Sequence, residues 1–225
     1  MTSMSPVTAP SDGRPVRALL IDYGGVLTVP LGSAFRGIAA DAGLEPSQVL
    51  GVLGTHEGAR SALVEHEVGQ LDDEGFEDAF AAALVEAGGK VEARGLLAAL
   101  GAHLELDPSM IDLVRRIRAA GVPVALVSNS LGRDCYSRID LDELFDVSVI
   151  SAQVGVRKPS REIYRIACAR LGVAPDECLL VDDLEHNLVG AARLGITGVL
   201  HRTAEETIGA VHDLLHLPAP SVIGQ

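Results

Sequence analysis

The sequence predicts an α/β protein: a Rossmann-like parallel sheet flanked by helices, with an α-helical cap inserted after the first strand. Three observations predict it. Short apolar runs that end in polar residues recur along the chain, amphipathic stretches with helix start and stop signals lie between them, and residues 31–105 contain no convincing strand.

The first run, RALLID at 17–22, stops at an acid followed by Gly24-Gly25, which reads as a buried strand ending in a tight turn. VPVALVSN (122–129) and ECLLVDD (177–183) repeat the pattern, and DVSVIS (146–151) and TGVLH (197–201) are weaker copies. Asp107-Pro108 is a strong helix start, after which Met110, Leu113, Val114 and Ile117 mark one face and Gly121 a stop. Ser160 caps a second expected helix, with Ile163, Ala167 and Leu171 on one face and Gly172 ending it. A third runs from Leu184 to Leu194. Within the insertion, Ala34, Phe35, Ile38 and Ala39 form one stripe, and Phe76, Phe80, Ala83 and Leu84 another. An all-helical insertion at this point sits over the carboxyl ends of the strands, where open α/β sheets bind ligands. The expected organisation is a flexible leader (1–16), a core (17–30 and 106–216), a helical cap (31–105) and a flexible tail (217–225).

Composition narrows the function. The chain has 225 residues, 18 Lys+Arg against 31 Asp+Glu, a net charge of −13 and 48% hydrophobic residues, which excludes wholesale disorder. So acidic a balance argues against a nucleic-acid-coating surface, since phosphate backbones require clustered Lys/Arg. No apolar run approaches a membrane span, and the Pro/Ser/Thr-rich start is not a secretory signal. Cys135, Cys168 and Cys178, an odd number without CxxC spacing, suit a reducing compartment, so the expected location is cytoplasmic.

Four short segments at predicted strand or helix ends have functional side chains. Asp22 follows the first strand in ALLIDYGGVLT; alone, it reads equally as a turn-stabilising Asp. Ser128-Asn129 close the second long strand, where Ser and Asn also serve as ordinary helix caps. Lys158-Pro159 precede the Ser160 helix; a Lys there is ordinarily solvated, but this chain has 16 Arg and only 2 Lys. A compact ammonium fits between carboxylates where a planar fork does not. Asp182-Asp183 end a later strand, either starting a helix or offering paired carboxylates to a hard cation.

Taken together, in this order and at these positions, the four segments resemble the motifs of the haloacid dehalogenase-like (HAD) hydrolase superfamily, and EVGQLDDEGF (67–76) is similar to a cap segment of its phosphatase-like members. The resemblance spans residues 17–201. It implies a Mg²⁺-dependent phosphatase acting on a small phosphorylated substrate through an aspartyl phosphate, as a monomer or homodimer. Asp22 would be the nucleophile; Asp22, the Gly24 carbonyl and Asp182 would hold Mg²⁺, with Asp183 in support. Ser128 and Lys158 would bind and neutralise the transferring group, helped by amides at Tyr23, Gly24, Gly25 and Asn129.

One residue departs from the pattern. Typical phosphatases of the family have a second Asp two residues after the nucleophile as general acid, and here that residue is Gly24. General acid catalysis is worth about 10²–10⁴ in rate, so esters with good leaving groups are favoured unless a cap residue donates the proton. His56, His66 and Glu57 are the cap candidates, each read first as a solvated surface residue. Dehalogenases of the family also lack that Asp, but they lack the Asp-Asp pair as well. A phosphonatase-like Schiff base would need a cap lysine, and Lys90 stands in an apparent GGK loop. A domain that binds a phosphorylated ligand or a protein without turnover is the remaining alternative.

Overall fold

A computed structural model describes residues 7–8 and 15–217, the former by backbone only. Its centre is one sheet of strands β1 (Val7–Thr8), β2 (Ala18–Ile21), β3 (Val124–Ser128), β4 (Val147–Ile150), β5 (Cys178–Asp182) and β6 (Thr197–Leu200), in the order β1-β6-β5-β2-β3-β4. Strands β2 to β6 are parallel, and β1 adds an antiparallel edge to β6. Residues 1–6 and 9–14 of the expected leader, and 218–225 of the expected tail, lie outside the described residues.

Alternation along each strand builds two cores. Leu19, Ile21, Leu126, Leu179 and Val181 face one way, onto Met110, Leu113, Val114 and Ile117 of α6 (Pro108–Ala119) and Val211 of α11 (Ala204–Leu214). Ala18, Leu20, Ala125, Val127 and Leu180 face the other way, onto Ile163, Tyr164 and Ala167 of α9 (Arg161–Leu171) and Leu188 and Ala191 of α10 (Glu185–Ala192). Strands buried on both faces are apolar throughout, which is why they read as continuous runs. The predicted caps are present. Asp107 Oδ1 accepts from Ser109 N and Met110 N, and Ser160 accepts from Glu162 N.

The insertion is helical, with five helices among the described residues where periodicity marked two stripes: α1 (Leu31–Ala42), α2 (Pro46–Thr55), α3 (Glu57–Glu67), α4 (Asp73–Glu86) and α5 (Leu96–His103). Phe35, Ile38, Val49, Phe76, Phe80, Leu84 and Leu100 form its own core. Helices α2, α3 and α5 escaped notice because each buries only two to four residues, too few for a stripe. Helix α11 likewise lacked a start signal beyond Thr203, whose hydroxyl caps it by accepting from Glu206 N. Short helices α7 (Leu141–Leu144) and α8 (Ser151–Val154) flank β4.

Where the chain leaves and re-enters the sheet domain, its two linkers are tied together. Thr28 and Leu106 form an isolated antiparallel bridge, Val29 N donates to Glu105 O at 2.8 Å, and Asp107 N donates to Leu27 O at 2.9 Å. No helix among the described residues is long and apolar enough to cross a membrane.

Candidate active site

The register of the sheet assembles the site. Ile21 pairs with Val181, so Asp22 and Asp182, the next residue on each of two adjacent parallel strands, end up side by side at the carboxyl edge. Lys158 bridges them, with Nζ 2.7 Å from Asp22 Oδ1 and 2.7 Å from Asp182 Oδ2. Its side chain is 1% exposed. The lysine loop is held from β3: Lys158 N donates to Asn129 Oδ1 at 2.8 Å, and Asn129 Nδ2 donates to Lys158 O at 3.3 Å. Sequence order thus hides a direct coupling between the Ser-Asn and Lys-Pro segments.

Ser128 is buried, and its Oγ accepts from the Tyr136 hydroxyl at 2.8 Å. Tyr136 packs against Tyr23, ring centroids 4.8 Å apart, and the Tyr23 hydroxyl donates to Cys135 O. The turn after Asp22 is fixed by Tyr23 N donating to Asp22 Oδ1 at 2.7 Å and Gly25 N donating to Thr28 Oγ1 at 3.0 Å. Gly25 has φ +76°, the left-handed conformation that favours glycine.

The two adjacent acids differ sharply. Asp182 Oδ1 accepts from Leu184 N and Asn187 Nδ2, each at 2.9 Å, and Oδ2 faces Lys158. Its carboxylate is fully engaged. Asp183 Oδ1 is buried and has no hydrogen-bond partner among the described residues. One carboxylate oxygen each from Asp22, Asp182 and Asp183 lies within 4.8 Å of the others. With all three ionised and Lys158 protonated, the cluster carries −3 + 1 = −2, the charge that a single divalent cation balances. The residues therefore fit Mg²⁺. Asp183 thus has an oxygen free to meet a cation, while Asp182 is the partner of Lys158.

Burial and mutual repulsion set the electrostatics of the cluster. Burial pushes Asp22 up to about 7, against the pull of Lys158, and Asp182 and Asp183 push it further. Burial and the adjacent Asp182 push Asp183 up to about 6. Burial alone would lower Lys158, but the carboxylates of Asp22 and Asp182 outweigh it and raise the lysine above its ordinary value.

A cavity of about 250 Å³ opens onto Asp22, Tyr23, Gly24, Ser128, Asn129, Lys158 and Asp183. The cap contributes Leu31, Leu63, Glu67 and Leu104 to it. A Cβ built on Gly24 would lie 3.5 Å from the Leu31 side chain, an ordinary van der Waals contact. None of His56, His66, Glu57 and Lys90 lines this cavity. His56 lies 3.0 Å from Glu86. His66 is not a solvated surface residue as expected: it is 3% exposed, stacked on Phe76 and 2.9 Å from Asp73, because it sits on the inner face of α3. Glu67 is the cap's acid in the cavity, and sequence reasoning passed over it. Its Oε2 lies 2.7 Å from Arg157 Nε, one residue before Lys158, and burial pushes its carboxyl up to about 7 despite that arginine. The signals that would have found these residues are weak: Asn187 is an ordinary first-turn residue, and Tyr136 and Glu67 lie in segments without strong periodicity.

Comparison with known proteins agrees with this geometry. The family model for haloacid dehalogenase-like hydrolases matches residues 16–195. The chain belongs to that family. It is 29% identical over 213 residues to acyl-CoA dehydrogenase family member 10 of Mus musculus, covering 92% of this chain and 20% of that protein. It is 32% identical over 102 residues to glyceraldehyde 3-phosphate phosphatase of Methanopyrus kandleri (44% of each) and 30% identical over 105 residues to (S)-2-haloacid dehalogenase 4A of Burkholderia cepacia (44% and 46%). The match thus spans from one fifth to under half of these relatives' lengths. A HAD-like family hydrolase from Porphyromonas gingivalis shares the fold, with a TM-score of 0.71 at 23% identity, covering 91% of this chain and 100% of that one.

Proposed function

We propose that this protein is a Mg²⁺-dependent phosphomonoesterase acting on a small phosphorylated metabolite through an aspartyl phosphate on Asp22. The observation that carries the reading is Lys158 bridging Asp22 and Asp182 beside the unpaired Asp183 oxygen, at the floor of a ligand-sized cavity. Asp22 Oδ is the nucleophile: it forms a bond to phosphorus as the ester oxygen departs, and water then cleaves the acyl phosphate. Lys158 neutralises the nucleophile and the incoming phosphoryl oxygens. Ser128, oriented by Tyr136, offers its hydroxyl to one of those oxygens, and the amides around Tyr23, Gly24, Gly25 and Asn129 add donors. Asp22, the Gly24 carbonyl, Asp183 and Asp182 would hold Mg²⁺, which when bound supplies a Lewis acid that draws charge from the phosphoryl group. Cytoplasmic residence belongs to the same reading and is supported by three free thiols.

The test is phosphate release from p-nitrophenyl phosphate and a panel of metabolite esters. Release is expected to need Mg²⁺ and to vanish in Asp22→Asn. Release that continues in chelator or in that variant overturns the mechanism. Gly24 and its leucine neighbour favour one second reading, a 2-haloacid dehalogenase attacking carbon from Asp22. Metal-independent halide release would establish it. Tight binding of phosphate esters with no turnover over hours would establish a binding-only domain.

A further inference from the structure

The cavity above Asp22 is walled chiefly by leucines. Leu31 of α1, Leu63 of α3 and Leu104 just beyond α5 come from the cap, and Leu131 and Leu184 from the loops after β3 and β5. Two of the polar side chains that share this wall are committed elsewhere. The Asn129 amide is spent on the Lys158 backbone, and the Tyr23 hydroxyl on Cys135 O. Glu67 and Arg157 face each other at 2.7 Å and form the polar strip along one edge. His186 is exposed at the mouth, beside Leu184, which is 42% exposed.

Resting on the phosphatase reading, we infer that the substrate is a phosphate ester of an apolar alcohol or phenol rather than of a sugar or other polyol. The leucine wall selects it. A hydrocarbon group placed against the leucines gains about fourfold in affinity per buried methylene, whereas each sugar hydroxyl buried there without a partner forfeits about tenfold. Leu31, part of that wall, lies 3.5 Å from the Cβ position of Gly24. The cavity of about 250 Å³ limits the alcohol to roughly the size of one aromatic ring beside the phosphoryl group.

The experiment separates polarity from leaving-group acidity by comparing benzyl phosphate with glycerol 1-phosphate, both primary alkoxide esters of similar basicity, with p-nitrophenyl phosphate as the reference for catalytic competence. The expected result is a kcat/KM at least tenfold higher for benzyl than for glycerol phosphate. In Leu63→Asn, and in Leu184→Asn at the exposed mouth where folding is not at stake, that ratio should fall at least threefold. A wild-type ratio of one or below, with Mg²⁺-dependent hydrolysis of p-nitrophenyl phosphate intact, overturns the inference and leaves the phosphatase reading standing. A ratio unmoved by both substitutions overturns it as well, because the leucines would then not be the source. Absence of Mg²⁺-dependent release from all three esters overturns the phosphatase reading itself, and the inference with it.

Discussion

Gly24 and Gly25 are neighbours, yet a single methyl group added to each has opposite expected outcomes. At Gly25, φ is +76° and an added Cβ would lie 2.4 Å from Asp183 Oδ2 and 2.9 Å from its Cγ. Ordinary contact begins near 3.4 Å, so the Asp183 carboxylate must retreat by 3.4 − 2.4 = 1.0 Å. The backbone conformation adds about 1–2 kcal/mol of strain for an L-residue, equivalent to a fall in melting temperature of about 2–8 °C for a domain of this size. A displacement of that order at a catalytic group costs about 10²-fold in rate. Gly25→Ala is therefore expected to fold, to melt a few degrees early, and to lose most of its Mg²⁺ affinity and turnover. At Gly24 the Cβ meets only the Leu31 side chain, at 3.5 Å, and Gly24→Ala should keep its Mg²⁺ affinity. Calorimetric Mg²⁺ titration, thermal melting and p-nitrophenyl phosphate hydrolysis on the two variants decide the matter. Wild-type Mg²⁺ affinity in Gly25→Ala would refute the placement of Asp183 as the open ligand.

Further expectations concern the same cluster. Asp182→Asn leaves Lys158, 1% exposed, with one of its two carboxylates, and chemical denaturation should show a loss of about 3–5 kcal/mol; Asp183→Asn should abolish Mg²⁺ binding. Asp22 and Asp183 have folded-state values of about 7 and about 6, above their ordinary 3.8, so their protonated forms are favoured by folding, and Asp183→Asn should raise the denaturation midpoint of the cation-free protein near neutral pH. The stability they contribute to the cation-free protein is present below pH 3.8 and lost as pH rises toward 6–7, and apparent Mg²⁺ affinity should climb across that window and then level off, which titration at several pH values will reveal. Gly24→Asp combined with Leu31→Ala, which widens the space beside the new carboxyl, should raise kcat on alkyl phosphates by about 10²-fold or more and change p-nitrophenyl phosphate little; an equal gain on both esters would show that the new group is not a proton donor.

The strands were legible because burial on both faces makes them unbroken apolar runs, as in ALLI at 18–21 and CLLVD at 178–182. Asp22, Ser128, Lys158 and Asp182 each read equally as a turn, cap or solvated residue, and it was their order, resembling a known family's motifs, that pointed to one cluster; parallel strands in register are the reason Asp22 and Asp182 end together. The division of labour between Asp182 and Asp183 did not follow, because it depends on which carboxylate Asn187 and the Leu184 amide engage, a three-dimensional fact with no periodic trace. The cap was read only as helical. Its helices bury narrow or broken stripes, and the acid that reaches the cavity, Glu67, sits at a helix end where spacing carries no information.

The paired linkers at Thr28 and Leu106 have an architectural consequence. The outgoing and returning strands are stitched to each other, so the insertion leaves the sheet domain through one closed seam, while Glu67 against Arg157 and Ser151, and Asp73 against Arg133, join the two parts again farther out. A foreign helical module spliced between Val29 and Glu105 would inherit the seam but would also have to replace Glu67, which braces Arg157 beside Lys158.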